Sequence, residues 1–262
     1  MKLKTFAVAL ALMLALFLFG QHRTPLAPQA QFKAAVDLTH TISEKSPNWE
    51  GTTKSPFQAP VHASFAKNGY FTRYITLPEH FSTHIDAPAH FAKNGWTVDQ
   101  IPPDRLIAPL AVLDVTKKVA ADPEYQVSVE DIAAWEQANG PIPPGAVVLA
   151  RTGWSSRWHS MQKYRNADVK NVMHFPGFSV AAVQFLVEAR NLAGIGIDTL
   201  SVDPGSSKDY PVHRYSAAHN LYNLENVGYL EQVPPSGAVL VVAPAKLQGG
   251  SGGPVRLLAL IR

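Results

Sequence analysis

Six short apolar runs constrain what this chain can fold into: "AAVDL" (34–38), "AVLDV" (111–115), "AVVLA" (146–150), "GIGIDT" (194–199), "AVLVVA" (238–243) and "VRLLALI" (255–261). Most are continuously apolar or nearly so. That is the pattern of strands covered on both faces, since half-exposed strands alternate. Two helices are signalled among them. "SVEDIAAWEQANG" has Ser128 as N-cap, Asp131 three residues later and Gly140 as a stop. "SVAAVQFLVEARNLAG" opens at Ser179 and is expected to end at Gly194. Much of 152–178 reads as loop. With 262 residues, 21 prolines and 16% charged residues, the chain predicts one α/β domain with a mixed sheet, not a helical bundle.

The N-terminus stands apart from that domain. Lys2 and Lys4 precede the apolar stretch "TFAVALALMLALFLF", and "GQHRTPLAPQA" ends in small residues. This is the layout of a secretory signal over 1–30, with cleavage near Ala30 and the domain over 31–262. The stretch is short for a spanning helix, which needs about 20 apolar residues. An uncleaved anchor is the alternative, and the only membrane contact expected. The protein is therefore expected to be exported, periplasmic or secreted. The formal net charge is +3, and residues 1–30 hold Lys2, Lys4 and Arg23 with no acid, so the mature chain is neutral. Nothing in it suggests a nucleic-acid partner, which needs clustered positive charge. The absence of cysteine excludes disulfides, thiolate ligands and a cysteine nucleophile.

The chemistry concentrates in "EHFSTHIDAPAHF" (79–91), which holds three of the ten histidines plus Asp86. His80, Ser82, His84, Asp86, Pro88 and His90 share one parity; Phe81, Thr83, Ile85, Ala87, Ala89 and Phe91 share the other. On a strand, one face coordinates and the other packs. His84 and Asp86 would lie roughly 6–7 Å apart, close enough to converge on one ion. His80 would lie about 20 Å from Asp86 on a straight strand. If it joins the site, the chain must bend sharply between Phe81 and Thr83, and Pro88 must turn the chain again to return His90. Neutral imidazoles with a carboxylate suit Zn²⁺, Mn²⁺ or Fe²⁺. A bound ion makes hydroxide available at neutral pH, and a remaining histidine moves protons. The alternative, separate hydrogen-bonded side chains on a wet sheet face, is disfavoured by the shared parity.

A second cluster, "DYPVHRYSAAHNLYNLENVGYL", offers His213, His219 and Glu225. Alone it reads as surface residues. "GGSGGP" (249–254) lacks the Lys-Ser/Thr of a phosphate loop and reads as a tight turn. Ser155, Ser156 and Ser160 lie near His159 but lack the G-x-S-x-G elbow of a serine hydrolase.

"HFSTHIDAPAH" resembles the H-x-G-T-H-x-D-x-P-x-H signature of the cyclase-like metal hydrolases, a family that includes bacterial kynurenine formamidases and isatin hydrolases. "VDLTHTIS", "GWTVDQIPPDRLIAPLAVLDV", "VVLARTGWSSRW", "IGIDTLSVDPGSSKDYPVH", "NLENV" and "GGSGGPVRLLAL" resemble the family's other blocks, in order. The resemblance spans about 35–262. It implies a swivelling β/β/α fold and a homodimer or homotetramer. It implies a divalent metal, Zn or Mn, held by His80, His84 and Asp86, with His90 as the acid–base group. It also implies an optional second ion on Asp86 with His213 and Glu225, which have the family's spacing of twelve; His219 is left as a local structural residue. Ser82 stands where the family has glycine. It is expected to be tolerated only if the local backbone is less extreme than a glycine bend.

The implied reaction is hydrolysis of a C–N amide bond by metal-bound hydroxide. The substrate is a small molecule, an aryl formamide such as N-formylkynurenine or a cyclic amide such as isatin. Trp49, Phe81, Trp154 and Phe178 are candidate aromatic walls, although core packing is the default for each alone. The rivals are a lactone or cyclic-ester hydrolase of the same family and a catalytically silent exported metal- or ligand-binding protein. Retention of His90 beside the ligands favours an enzyme.

Overall fold

The computed structural model describes residues 32–262, and the export segment read at 1–30 lies outside them. In chain order the strands are β1 (Ala34–Asp37), β2 (Val61–Ala63), β3 (Thr72–Arg73), β4 (His84–Asp86), β5 (Ile107–Asp114), β6 (Gln126–Val127), β7 (Val147–Arg151), β8 (Gly177–Phe178), β9 (Gly194–Ile197), β10 (Tyr222–Glu225), β11 (Ala238–Pro244) and β12 (Gly252–Ile261). The three longer helices are α1 (Val129–Asn139), α2 (Val180–Arg190) and α3 (Pro211–Ala218).

The mixed sheet closes on itself. Its order is β12-β11-β5-β7-β9-β10-β4, and β4 pairs back onto β12, giving a seven-stranded barrel with β1 added along β12. β5, β7, β9 and β10 run parallel; the remaining pairings are antiparallel. Closure leaves those seven strands without the two free edges of an open sheet. It depends on two short strands, β4 and β10, which the apolar pattern does not reveal because four of their seven residues are His, Asp, Asn or Glu.

The continuous apolar runs have a direct explanation. On β5 and β7, Leu110, Val112, Val147 and Leu149 fill the barrel interior, while Ala111, Leu113, Val148 and Ala150 pack outward under α1 and α2. On β9, Ile195 and Ile197 point outward. A Cβ on Gly196 would lie 2.6 Å from Leu149 Cδ2 and 2.7 Å from the Leu224 carbonyl oxygen, so the crowded interior admits only glycine there.

Both expected helices form. Ser128 and Asp131 make the reciprocal capping box of α1, and Gly140 follows its end at φ 84°. Ser179 Oγ accepts from the Ala182 N–H to cap α2. That helix stops earlier than expected, at Asn191 with φ 49°, because Gly194 already begins β9. α3 was not signalled: its sequence is polar, and Pro211 at its first turn is the main local cue. The β2–β3 hairpin forms a separate arm on which Val61, Phe65, Tyr70, Phe71, Tyr74 and Ile75 are exposed.

Candidate metal centre

β4 lies between β10 and β12, with Glu225 opposite His84 and Asn223 opposite Asp86. Residues directly opposite share a face. Ile85 and Leu224 point into the barrel core, which leaves His84, Asp86 and Glu225 together on the other face. All three are buried. α3 adds His213, whose Nε2 lies 3.1 Å from Asp86 Oδ2 and 3.0 Å from Glu225 Oε1.

The bend needed to recruit His80 occurs at Ser82. Its φ of 59° is fully left-handed, so the expectation of a milder backbone there is wrong. The conformation is held by its surroundings. The Ser82 carbonyl accepts from His84 Nδ1–H and from Asn226 Nδ2–H, both at 2.9 Å. His80 Nδ1 thereby comes within 2.6 Å of Asp86 Oδ1. A non-glycine residue in this region costs about 1–3 kcal/mol. Ser82→Gly should therefore melt at or above the wild-type temperature, since relief of strain outweighs the roughly 0.4–1 kcal/mol of added chain entropy. Ser82→Val, a β-branched residue at positive φ, should melt well below it. A glycine variant that melts well below wild type would show that the hydroxyl, not the strain, governs this position.

The second bend is a 3₁₀ turn over Pro88–His90. It stacks the His90 ring on His80, with centroids 3.9 Å apart, and Phe91 covers another side at 4.6 Å. His219 lies apart from the cluster, its Nδ1–H donating to the Tyr215 carbonyl.

The histidines are oriented alike. Ser82 O can only accept, so His84 carries its proton on Nδ1 and turns Nε2 inward. Asp203 Oδ2 receives His213 Nδ1–H at 2.6 Å, which turns the His213 Nε2 inward as well. His84 Nε2 is buried and makes no hydrogen bond, although Asp86 Oδ1 lies at 3.2 Å and Glu225 Oε2 at 3.4 Å. Among the described residues, His80–Asp86–His90 and His84–Asp86–Glu225 form two sets whose donor atoms lie within 4.8 Å of one another. Asp86 belongs to both.

The buried carboxylates favour positive charge here. Burial opposes charge on His84, but Asp86 and Glu225 outweigh it and hold the imidazole up to about 10. Burial likewise opposes charge on His213, and Asp203, Asp86 and Glu225 raise it well above the usual histidine value. Burial would raise Asp86, yet contacts from His213, His80 and His84 hold it well below the usual carboxylate range. Glu225 is also lowered, by His213 and His84, against burial and the repulsion of Asp86. In the metal-free protein, protons supply the positive charge. An inward ring of imidazole nitrogens and carboxylates, with one buried nitrogen unpartnered, fits a divalent ion that would displace those protons.

The cluster floors a cavity of about 450 Å³. Trp49 and Phe81 line it as expected, but Trp154 and Phe178 do not. Both belong to the outer core under the helices; the Trp154 indole N–H donates to the Tyr164 carbonyl, and its ring lies under Arg157 at 3.6 Å. Phe91 and Tyr210 complete the aromatic wall instead. Tyr210 sits at φ 48°, immediately before α3, an unusual conformation for a bulky side chain. The sequence reading also missed Asp203. It stands ten residues before His213, with no motif to connect them.

A family model described as "Putative cyclase" matches residues 36–204. The chain belongs to that family. Among curated members, the isatin hydrolase of Roseibium aggregatum is 34% identical over 197 residues, covering 72% of this chain and 74% of the relative. The kynurenine formamidase of Salinibacter ruber is 26% identical over 226 residues, covering 85% and 95%. Among solved structures, isatin hydrolase A from Ralstonia solanacearum superposes with a TM-score of 0.81 at 34% identity, covering 87% of this chain and 92% of that one. An isatin hydrolase bound to the product analogue thioisatinate gives 0.81 at 28% identity, covering 97% and 98%. These cyclase-family homologues are amidohydrolases, and their fold is the barrel described above.

Proposed function

We propose that this chain is a metal-dependent amidohydrolase that opens flat, uncharged cyclic amides of the isatin type. One observation carries the choice of substrate class. The cavity is walled by Trp49, Phe81, Phe91 and Tyr210 above a His/Asp/Glu floor, and its lining includes Glu50 but no lysine or arginine. N-formylkynurenine carries a zwitterionic amino-acid head: Glu50 could meet its ammonium, but its carboxylate would find no lysine or arginine in the lining. A neutral fused ring stacks on the aromatic walls without that penalty.

His80, His84 and Asp86 would hold one ion, and Asp86, His213 and Glu225 a second. Imidazole and carboxylate donors without thiolate suit Zn²⁺ or Mn²⁺. When bound, the metal supplies Lewis-acid polarisation of the amide carbonyl and acidifies a water. The chain's own groups do the rest. The aromatic wall orients the ring and excludes bulk water. Burial keeps His90 below the ordinary histidine value despite the attraction of Asp86, so at neutral pH its imidazole is free to accept a proton. Oxygen adds to the carbonyl carbon, the C–N bond breaks, and His90 returns the proton to the departing nitrogen. The products of a cyclic amide are a carboxylate and an amine on one molecule.

The test is turnover of isatin and of N-formylkynurenine by chelator-stripped protein and by protein reloaded with Zn²⁺ or Mn²⁺. Metal-dependent opening of isatin, at a higher kcat/KM than for N-formylkynurenine, is expected. Preference for N-formylkynurenine would overturn the charge argument. Stoichiometric metal without turnover of either would move the reading to a cyclic ester substrate or a binding role.

A further inference from the structure

The glycine-rich turn "GGSGGP" resembles no phosphate loop, yet it reaches the candidate centre. We propose that Ser251 and Glu79 are positioning residues that clamp His80 in a single tautomer, so that it meets the ion through Nδ1. The inference rests on the metal-dependent reading above and adds to it the means by which one ligand is prepared.

Ser251 Oγ donates to Glu79 Oε2 at 2.6 Å, and the Ser251 N–H donates to the same oxygen at 3.1 Å. A hydroxyl has one proton, and the carboxylate has taken it. Toward His80 Nε2, 3.0 Å away, Ser251 Oγ can therefore act only as acceptor. His80 therefore carries a proton on Nε2, which leaves Nδ1 as the nitrogen that can meet an ion. Nδ1 lies 2.6 Å from Asp86 Oδ1, so a proton joins the two when no metal is bound, and a divalent ion would displace that proton. His84 and His213 obey the same logic through a carbonyl and a carboxylate. At its outward Nε2, His80 has neither a carbonyl nor a carboxylate acceptor, so a serine carries the effect of Glu79 to it.

The turn is built for this approach. The Ala87 N–H donates to the Ser251 carbonyl at 2.9 Å, and Gly252 pairs with Asp86 as β12 begins. The strand that closes the barrel thus delivers the hydroxyl. A Cβ on Gly252 would lie 2.5 Å from His80 Cε1 and 2.7 Å from the Ile85 carbonyl oxygen, so any side chain there would displace the imidazole. An outer partner that fixes tautomer and ring orientation is worth about 10–100-fold in metal affinity.

Two measurements test the clamp. In the Zn²⁺-loaded full chain labelled with ¹⁵N-histidine, two-bond ¹H–¹⁵N correlations should show His80 protonated at Nε2 and metal-bound at Nδ1. Chelator competition should show Zn²⁺ binding weakened about 10–100-fold in Ser251→Ala and in Glu79→Gln, with Ser251→Thr recovering most of it. The spectrum of the unmutated chain decides the tautomer even if Ser251→Ala folds poorly. Protonation of His80 at Nδ1, or wild-type affinity in both variants, would overturn the clamp and leave the metal reading intact. If the unmutated chain takes up no ion at all, the metal reading falls and the clamp with it.

Discussion

Asparagine in place of Asp86 is expected to abolish divalent-metal binding and turnover together, the largest loss from any single substitution in this cluster. The residue is the hub of the site. Its Oδ1 lies 2.6 Å from His80 Nδ1 and 3.2 Å from His84 Nε2, while Oδ2 lies 3.1 Å from His213 Nε2. An amide has nearly the same shape but no charge, and its N–H₂ end donates where a ligand must accept. Glu225 would remain the only carboxylate among three inward-facing imidazoles. Outer-sphere changes already cost about 10–100-fold in affinity, so loss of the central carboxylate should exceed that range. The measurement is the melting temperature with and without Zn²⁺ or Mn²⁺. An ion at 100 times its Kd stabilises a folded protein by about 2.7 kcal/mol. The wild-type protein should show that rise and Asp86→Asn should not. A variant that keeps the rise would remove Asp86 from the ligand set and break the link between the two ligand groups.

How much of this arrangement could be read beforehand follows from what kind of information each part needs. The doubly buried strands β5 and β7 announce themselves, because both faces demand apolar side chains. The run 79–91 is legible for a different reason: parity places His84 and Asp86 on one face, and Pro88 forces the turn that returns His90. Barrel closure is not legible. It depends on Asn223 and Glu225 pairing across to β4, a long-range register with no local signature. Trp154 and Phe178 illustrate the same limit from the other side. Their residue type suits a pocket wall equally well, and only the layer of helices above the barrel decides that they are core. Ser82 shows where a local rule misleads. The left-handed bend is kept without glycine because His84 and Asn226 hold its carbonyl, and Asn226 is distant in sequence. Ser251 is hidden in a turn whose composition signals flexibility, although its glycines serve close approach to His80.

Alanine in place of His90 should leave metal binding nearly unchanged while kcat falls by about 10²–10⁴-fold, the range set by loss of a positioned acid–base group. The geometry makes this a demanding test, because His90 also has a nitrogen within ligand distance of His80 and Asp86. Two observations favour a proton carrier over a ligand. His80, His84 and His213 each have an outward hydrogen bond that holds the other ring nitrogen inward, whereas His90 has no such partner among the described residues. Its ring stacks face-on against His80 at an interplanar angle of 26°, open on one edge to the cavity that takes the substrate. Alanine also uncovers one face of His80, so His90→Phe is the necessary companion: it preserves the stack and removes the titratable nitrogens. Both variants should bind Zn²⁺ with near-wild-type affinity, and both should turn over slowly. If metal binding and turnover fall in parallel in both, His90 is a ligand, and the proton must be moved by another group. If the phenylalanine variant binds metal well and the alanine variant does not, the stack has a structural role beside the chemical one. In that case the phenylalanine variant alone measures what the imidazole contributes to catalysis.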